Sequence, residues 1–286
     1  VFQLISYFNR VLKFTVVFAV VMSVAFVFSA CDAARHDAAV AEFEAAAVQA
    51  DMHNEELRSA IDSAQAVLDL EKDAYGDDAK NNLQAAIAQA QAALITIPDM
   101  PSSTEEIRAV AESMKSVDFS HHVSTLEVKR LSFENAIKQL EQITAPAEDF
   151  IIERLKLVST IIDTAAATAD ADPDGMLGQD GGYRSAVFFS DSRVDQEALS
   201  RQGRYTNEIL DKGTDAGGTV EVFDSVEAAT ERSRQLDEIA LGQTAQAGTG
   251  KHHVLQTIVI RTSALLTEAQ HNDLVDSIKT AFLEIR

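Results

Sequence analysis

Hydrophobic positions along this chain follow three regimes. From Phe14 to Ala30 they run on without a charge. From Ala38 to about Thr168 they recur every three or four residues, the spacing of an amphipathic helix. Beyond Tyr183, short β-branched and aromatic runs appear between helical stretches, and the period falls to two.

The helical regime contains an internal repeat. Leu57–Leu68 and Leu83–Leu94 share seven of twelve residues at an offset of 26. In each, Leu, Ile, Ala and Leu are spaced four, three and four apart, so they share one helix face. Gly76 suits a helix end and Asp77 or Asp78 a helix start. The segment therefore predicts an antiparallel αα-hairpin with small Ala side chains at its seam. Residues 32–51, rich in Ala, read as a helical tether or a disordered spacer. Ser103-Thr104-Glu105-Glu106 fits a capping box for a helix reaching about Met114. Residues 118–124, with His121 and His122, read as a loop. A helix over 125–143 would turn Leu131, Ile137, Leu140 and Ile143 inward. Another over 146–168 would turn in Phe150, Ile151, Leu155, Val158 and Ile162.

The last regime predicts strands at 183–189, 219–223 and 253–261, the third apolar on both faces and therefore central. Asp224-Ser225 precedes a helix over 228–239, and Thr267 caps the final one, with Leu274, Ile278 and Phe282 inward. The order β, loop, β, α, β, α gives an α+β fold. An all-α segment is followed by a small three-stranded sheet with helices packed on one face. The step from 219 to 261 fits a right-handed parallel crossover.

The uncharged stretch speaks to location. Arg10 and Lys13 precede it, and Ser29-Ala30-Cys31 ends it: a basic n-region, an apolar core and small residues before a cut. Cys31, the only cysteine, stands where bacterial lipoproteins carry the lipidated residue, with Phe28 in place of the usual Leu. An uncleaved anchor is the alternative, since seventeen residues lie at the lower edge of the about 17–25 that a bilayer needs. Either way the remainder is exported. The expected organisation is a signal peptide at 1–30, a lipid-anchored tether at 31–51, a helical region at 52–143 and an α+β domain at 144–286 that includes its leading helix. The whole is expected on the extracytoplasmic face of the cell membrane.

Charge narrows the partners. The sequence has 24 Lys+Arg against 45 Asp+Glu, a net charge of −21. A cut before Cys31 removes Arg10 and Lys13 and no acid, leaving 22 basic residues against 45 acidic ones. Such a surface repels polyanions, so no nucleic-acid partner is expected. Membrane attachment through the lipid and a cell-wall or surface-protein ligand fit the location. With Cys31 committed to the anchor, no intrachain disulfide can form.

Three constellations carry candidate chemistry. Asp170, Asp172 and Asp174 alternate before Gly175, the first half of a calcium loop. Gly181 stands where the bidentate Glu belongs, with Asp180 one residue early. The segment reads first as a polar linker between the two halves. Its second reading is a weak calcium site built from Asp170, Asp172, Asp174 and Asp180. The Gly-rich run Asp211, Lys212, Gly213, Thr214, Asp215, Ala216, Gly217, Gly218 is a candidate ligand loop. Its acids would repel phosphate, and it leads into a strand instead of a helix. The third constellation is histidine: His252 and His253, adjacent on a strand, point to opposite faces and cannot chelate one metal. Asp211, Asp215 and Glu221 are nearby acids of the type glycoside hydrolysis uses, but no residue reaches a catalytic signature.

Two resemblances bear on this reading. In its Leu/Ile/Ala spacing and Tyr75, segment 52–97 resembles the FIVAR-type helical modules of bacterial surface proteins, which act as spacers or as carbohydrate- and matrix-binding units. From about Thr144 onward the chain resembles a C-terminal domain of Gram-positive surface lipoproteins. The motifs are Asp172-Pro173-Asp174-Gly175, Gly181-Gly182-Tyr183, Asp211–Gly218, Glu221-Val222-Phe223 and Arg261-Thr262-Ser263. That resemblance implies export and a self-contained domain, and transfers no catalytic role. Two function classes follow. One is a lipid-anchored binding or structural module of the envelope. The other is an envelope hydrolase acting on cell-wall glycan or peptide at the Gly-rich loop.

Overall fold

The computed structural model describes residues 2–201, 205–242 and 250–286, with side chains for 32–201, 205–240 and 250–286. The side chains of Phe14–Cys31, on which the signal-peptide and lipidation expectations rest, lie outside those described. Among the residues whose side chains are described, from 32 onward, no helix is long and apolar enough to cross a membrane. The chain divides into two compact units, Val1–Leu70 with Asn81–Leu131, and Glu71–Lys80 with Ser132–Arg286.

The first unit is helical, drawn from α1 (Phe2–Leu68), α2 (Asp78–Ala93), α3 (Thr104–Lys115) and the start of α4 (Ser120–Ile143). Ala39, Phe43, Ala46 and Ala50 of α1 form one apolar cluster with Ile107, Ala111 and Met114 of α3. Small Ala side chains permit that close approach. So residues 32–51, expected as a tether or spacer, pack into a core, and a close Ala seam lies between α1 and α3. Both repeat segments are helical, with Leu57, Ile61, Ala64, Leu83, Ile87 and Ala90 buried. Asn54 is buried as well. It ties α1 to residue 95, donating to the Ile95 carbonyl at 2.9 Å and accepting from its N–H at 3.2 Å.

Local capping follows the sequence at α3, where Ser103 Oγ accepts from the Glu106 N–H and donates to the Glu106 carboxylate at 2.8 Å. At α4, Asp118 accepts from the Ser120 N–H at 2.8 Å and starts the helix early, so His121 and His122 are helical, not looped. Farther along α4, Phe133, Ala136, Ile137 and Ile143 are buried, whereas Leu131 is 44 % exposed.

The second unit carries the sheet, and the α+β class read from the sequence holds. Helix α5 (Glu148–Leu155) precedes β1 (Ile161–Ala166) and β2 (Ser185–Asp191). Short helices α6 (Gln196–Arg201) and α7 (Ile209–Lys212) lead to β3 (Gly217–Val222). Then come α8 (Val226–Gly242), the hairpin β4 (Lys251–Leu255) and β5 (Ile258–Thr262), and α9 (Glu268–Leu283). The five strands lie in the order β1-β2-β3-β5-β4, every neighbouring pair antiparallel.

Three expectations need correction. The helix expected over 146–168 stops at Leu155, and the β-branched pair Ile161-Ile162 opens β1, with a bulge between Ile161 and Asp163 that leaves Ile162 59 % exposed. The single strand expected over 253–261 is two strands folded about Gln256, whose φ of 54° lies in the left-handed region. Strand β3 therefore runs parallel to β4 without touching it, because β5 is inserted antiparallel between them. A five-stranded sheet thus replaces the expected three strands.

Helices cover both faces, not one. Along β2, Val187 and Phe189 join α5 and α9 through Ile151, Leu155, Leu274, Ile278 and Phe282. Ala186 and Phe188 join Ala229 and Leu236 of α8 and Ile209 of α7 on the other side. Alternation along a strand that is apolar on both faces produces the three layers. At the hairpin, Thr257 Oγ1 accepts from the Ala145 N–H at 2.7 Å, and its carbonyl accepts from the Phe223 N–H at 2.8 Å.

Candidate functional site

The acidic segment 170–180 joins β1 to β2 within one sheet, so it is not a linker between halves of the chain. Its carboxylates serve different partners. Asp172 accepts from the Tyr183 hydroxyl, from the Leu177 N–H at 2.7 Å and from the Asp174 N–H at 3.3 Å. Burial pulls the Asp172 carboxyl upward, but these donors outweigh it and hold the group below the usual carboxylate range. Burial first, and then the Asp172 carboxylate, push the Tyr183 hydroxyl far up, so it remains a donor. Asp174 meets Arg261 Nη1 at 2.5 Å and Arg232 Nη2 at 3.5 Å. Among the described residues no three His, Cys, Asp or Glu side chains are grouped to hold a metal ion.

Asp174 belongs to a charge cluster on the α8 face of the sheet. Glu221, fully buried on β3, accepts from Arg232 Nε at 3.0 Å and Nη2 at 3.2 Å, and from Arg261 Nη1 at 2.7 Å. Arg232 comes from α8 and Arg261 from β5. Sequence reasoning missed both arginines. The available signal was a charge inside an apolar strand, as in Val220-Glu221-Val222 and Val259-Ile260-Arg261, because a buried charge requires a partner.

The Gly-rich run is not one loop. Asp211 and Lys212 end α7, Gly213–Ala216 form a 3₁₀ turn, and Gly217 and Gly218 begin β3. Its glycines answer to packing. A Cβ on Gly218 would lie 2.3 Å from the Arg261 carbonyl oxygen and 2.4 Å from the Phe189 ring. One on Gly217 would lie 2.4 Å from the Asp191 nitrogen. Lys212 is buried and donates to Gln196 Oε1 at 3.4 Å. Asp215 accepts from the Tyr205 hydroxyl at 2.7 Å, and Asp211 from the Thr206 N–H. The latter bond lowers the Asp211 carboxyl.

Two of the sequence candidates do converge. A cleft of about 680 Å³ is bounded by Asp163–Ala165 of β1, Asp170–Pro173 of the acidic segment and Thr206–Asp211. Asp170, Asp172 and Asp211 thus line one recess; Asp174, Asp180 and the 212–218 segment do not. His252 and His253 part as expected, His252 lying 3.6 Å from Asp237 of α8 and His253 feeling Lys279 and Asp276 of α9. Scans against family models, curated proteins and solved structures each found no match to this chain.

Proposed function

We propose that this chain is an exported, lipid-anchored envelope protein whose α+β unit serves as a binding or structural module outside the membrane. The stretch Arg10–Cys31 supports the export and the anchor. One observation favours binding over hydrolysis: five of the seven acids singled out for chemistry are closed on internal donors. Asp172 holds Tyr183, Asp174 and Glu221 hold Arg261, Asp211 holds Thr206 and Asp215 holds Tyr205. Glycoside hydrolysis needs a carboxylic acid with a raised pKa to protonate the leaving group. Asp172 and Asp211, both on the cleft, are held low instead.

Two experiments test this reading. Labelled fatty acid should enter the wild-type chain and not Cys31→Ala; incorporation that survives the change would end the lipoprotein assignment. Calorimetry against cell-wall fragments and sugars should give binding without product formation. Turnover that disappears in Asp211→Asn would establish the hydrolase instead.

A further inference from the structure

The four charges of the Glu221 cluster are not equivalent. The Glu221 side chain is 0 % exposed, Arg232 7 %, Arg261 12 % and Asp174 24 %. Three of them stand on regular structure, on β3, α8 and β5; Asp174 alone comes from a loop. Without it, two guanidiniums would face one carboxylate, and a buried surplus of positive charge demands an anion. Asp174 meets the demand incompletely. Its Oδ2 serves both arginines, at 2.5 and 3.5 Å, while Arg261 Nε is buried with no hydrogen-bond partner among the described residues.

We infer that Arg232 and Arg261 form a carboxylate-binding site whose present occupant, Asp174, is internal and displaceable. Guanidinium forks suit a carboxylate by charge and by geometry, whichever molecule carries it. In the resting protein Asp174 wins because it is tethered, at an effective concentration that a free carboxylate does not match. A ligand that displaced it would release the segment at Asp174, next to the cleft-lining residues Asp170–Pro173, while Asp172 stays held by Tyr183 and Leu177. This inference is independent of the export reading.

Chemical rescue in the full chain tests it. Asp174→Ala should lower the melting temperature by on the order of 10 °C, the consequence of a buried surplus of positive charge. Sodium acetate at neutral pH should restore most of that loss, and sodium chloride at matched ionic strength should not. Wild type and the double variant Asp174→Ala/Arg261→Gln should ignore acetate. Absence of rescue, equal rescue by chloride, or rescue that persists in the double variant would overturn the site. If Asp174→Ala does not fold, Asp174→Asn keeps the side-chain shape. Acetate should then slow amide exchange over residues 170–183 in that variant, and unchanged exchange would be equally fatal.

Discussion

The two units bury different things. In the helical unit the described interior is mostly aliphatic and small, with Phe43 and Phe119 as buried rings and Asn54 its single buried polar side chain among the described residues. The α+β unit buries Glu221, Asp191, Arg232, Lys212 and His271 beside Phe188, Phe189, Phe223 and Phe282. An apolar interior is specified by spacing along one helix. A charged interior is specified by pairing, and the members of a pair can stand far apart in the chain. So the first unit should tolerate lost polarity and resist added volume, and the second should do the reverse.

The largest test of that contrast is Glu221→Ala. It strands Arg232 and Arg261 in the interior and should cost about 3–5 kcal/mol in urea unfolding; a loss below about 1 kcal/mol would mean water already relieves the cluster. Next is Ala46→Leu, which forces extra volume between α1 and α3 and should cost about 1–3 kcal/mol. Hydrogen exchange should rise in α1 and α3 while the sheet amides keep their protection. Exchange rising evenly throughout would dissolve the distinction between the units.

Acid should act on the second unit in two steps. Burial, helped by Lys279 and Lys251 respectively, lowers His253 and His271. The unfolded chain therefore takes up those protons first, and stability should fall as pH drops below about 6.5. Asp172 and Asp191 are raised by burial but lowered further by their donors, Tyr183 and Arg193 foremost. Their contribution is complete above the ordinary Asp value of about 4 and is lost as pH falls from there toward the folded values. Melting temperature against pH should show both falls, with the first reduced in His271→Gln. The smallest effects belong to the caps: Ser103→Ala and Thr267→Ala should each cost about 1 kcal/mol. Near-equal losses would show that capping, unlike the interiors, works alike in both units.

What could be read in advance follows the same division. Local signals survived folding: Ser103 caps α3, Thr267 and Gln270 form the box at α9, and Leu274, Ile278 and Phe282 face inward. Strand β1 was hidden because Ile151, Leu155, Val158 and Ile162 continue a helical spacing through the point where α5 ends. The β4–β5 turn was hidden because Gln256-Thr257 lacks the Gly or Asn that marks a tight hairpin. The cluster of Asp174, Glu221, Arg232 and Arg261 draws on four separate elements, and no spacing rule joins them. The Gly-rich run was visible, but its glycines report the closeness of Phe189 and Arg261, which only the folded sheet reveals.

Thr257 has a consequence for timing. The chain just past α4 turns at Ala145, in the left-handed region at φ 47°, and among the described residues its N–H finds its acceptor in the Thr257 hydroxyl, 112 residues later. On a ribosome, α4 would emerge long before that acceptor existed. Its end must wait in water until the β4–β5 hairpin is synthesised, so the second unit closes late and all at once. A nascent chain halted before residue 257 should still expose residues 144–147 to a protease that the finished protein resists.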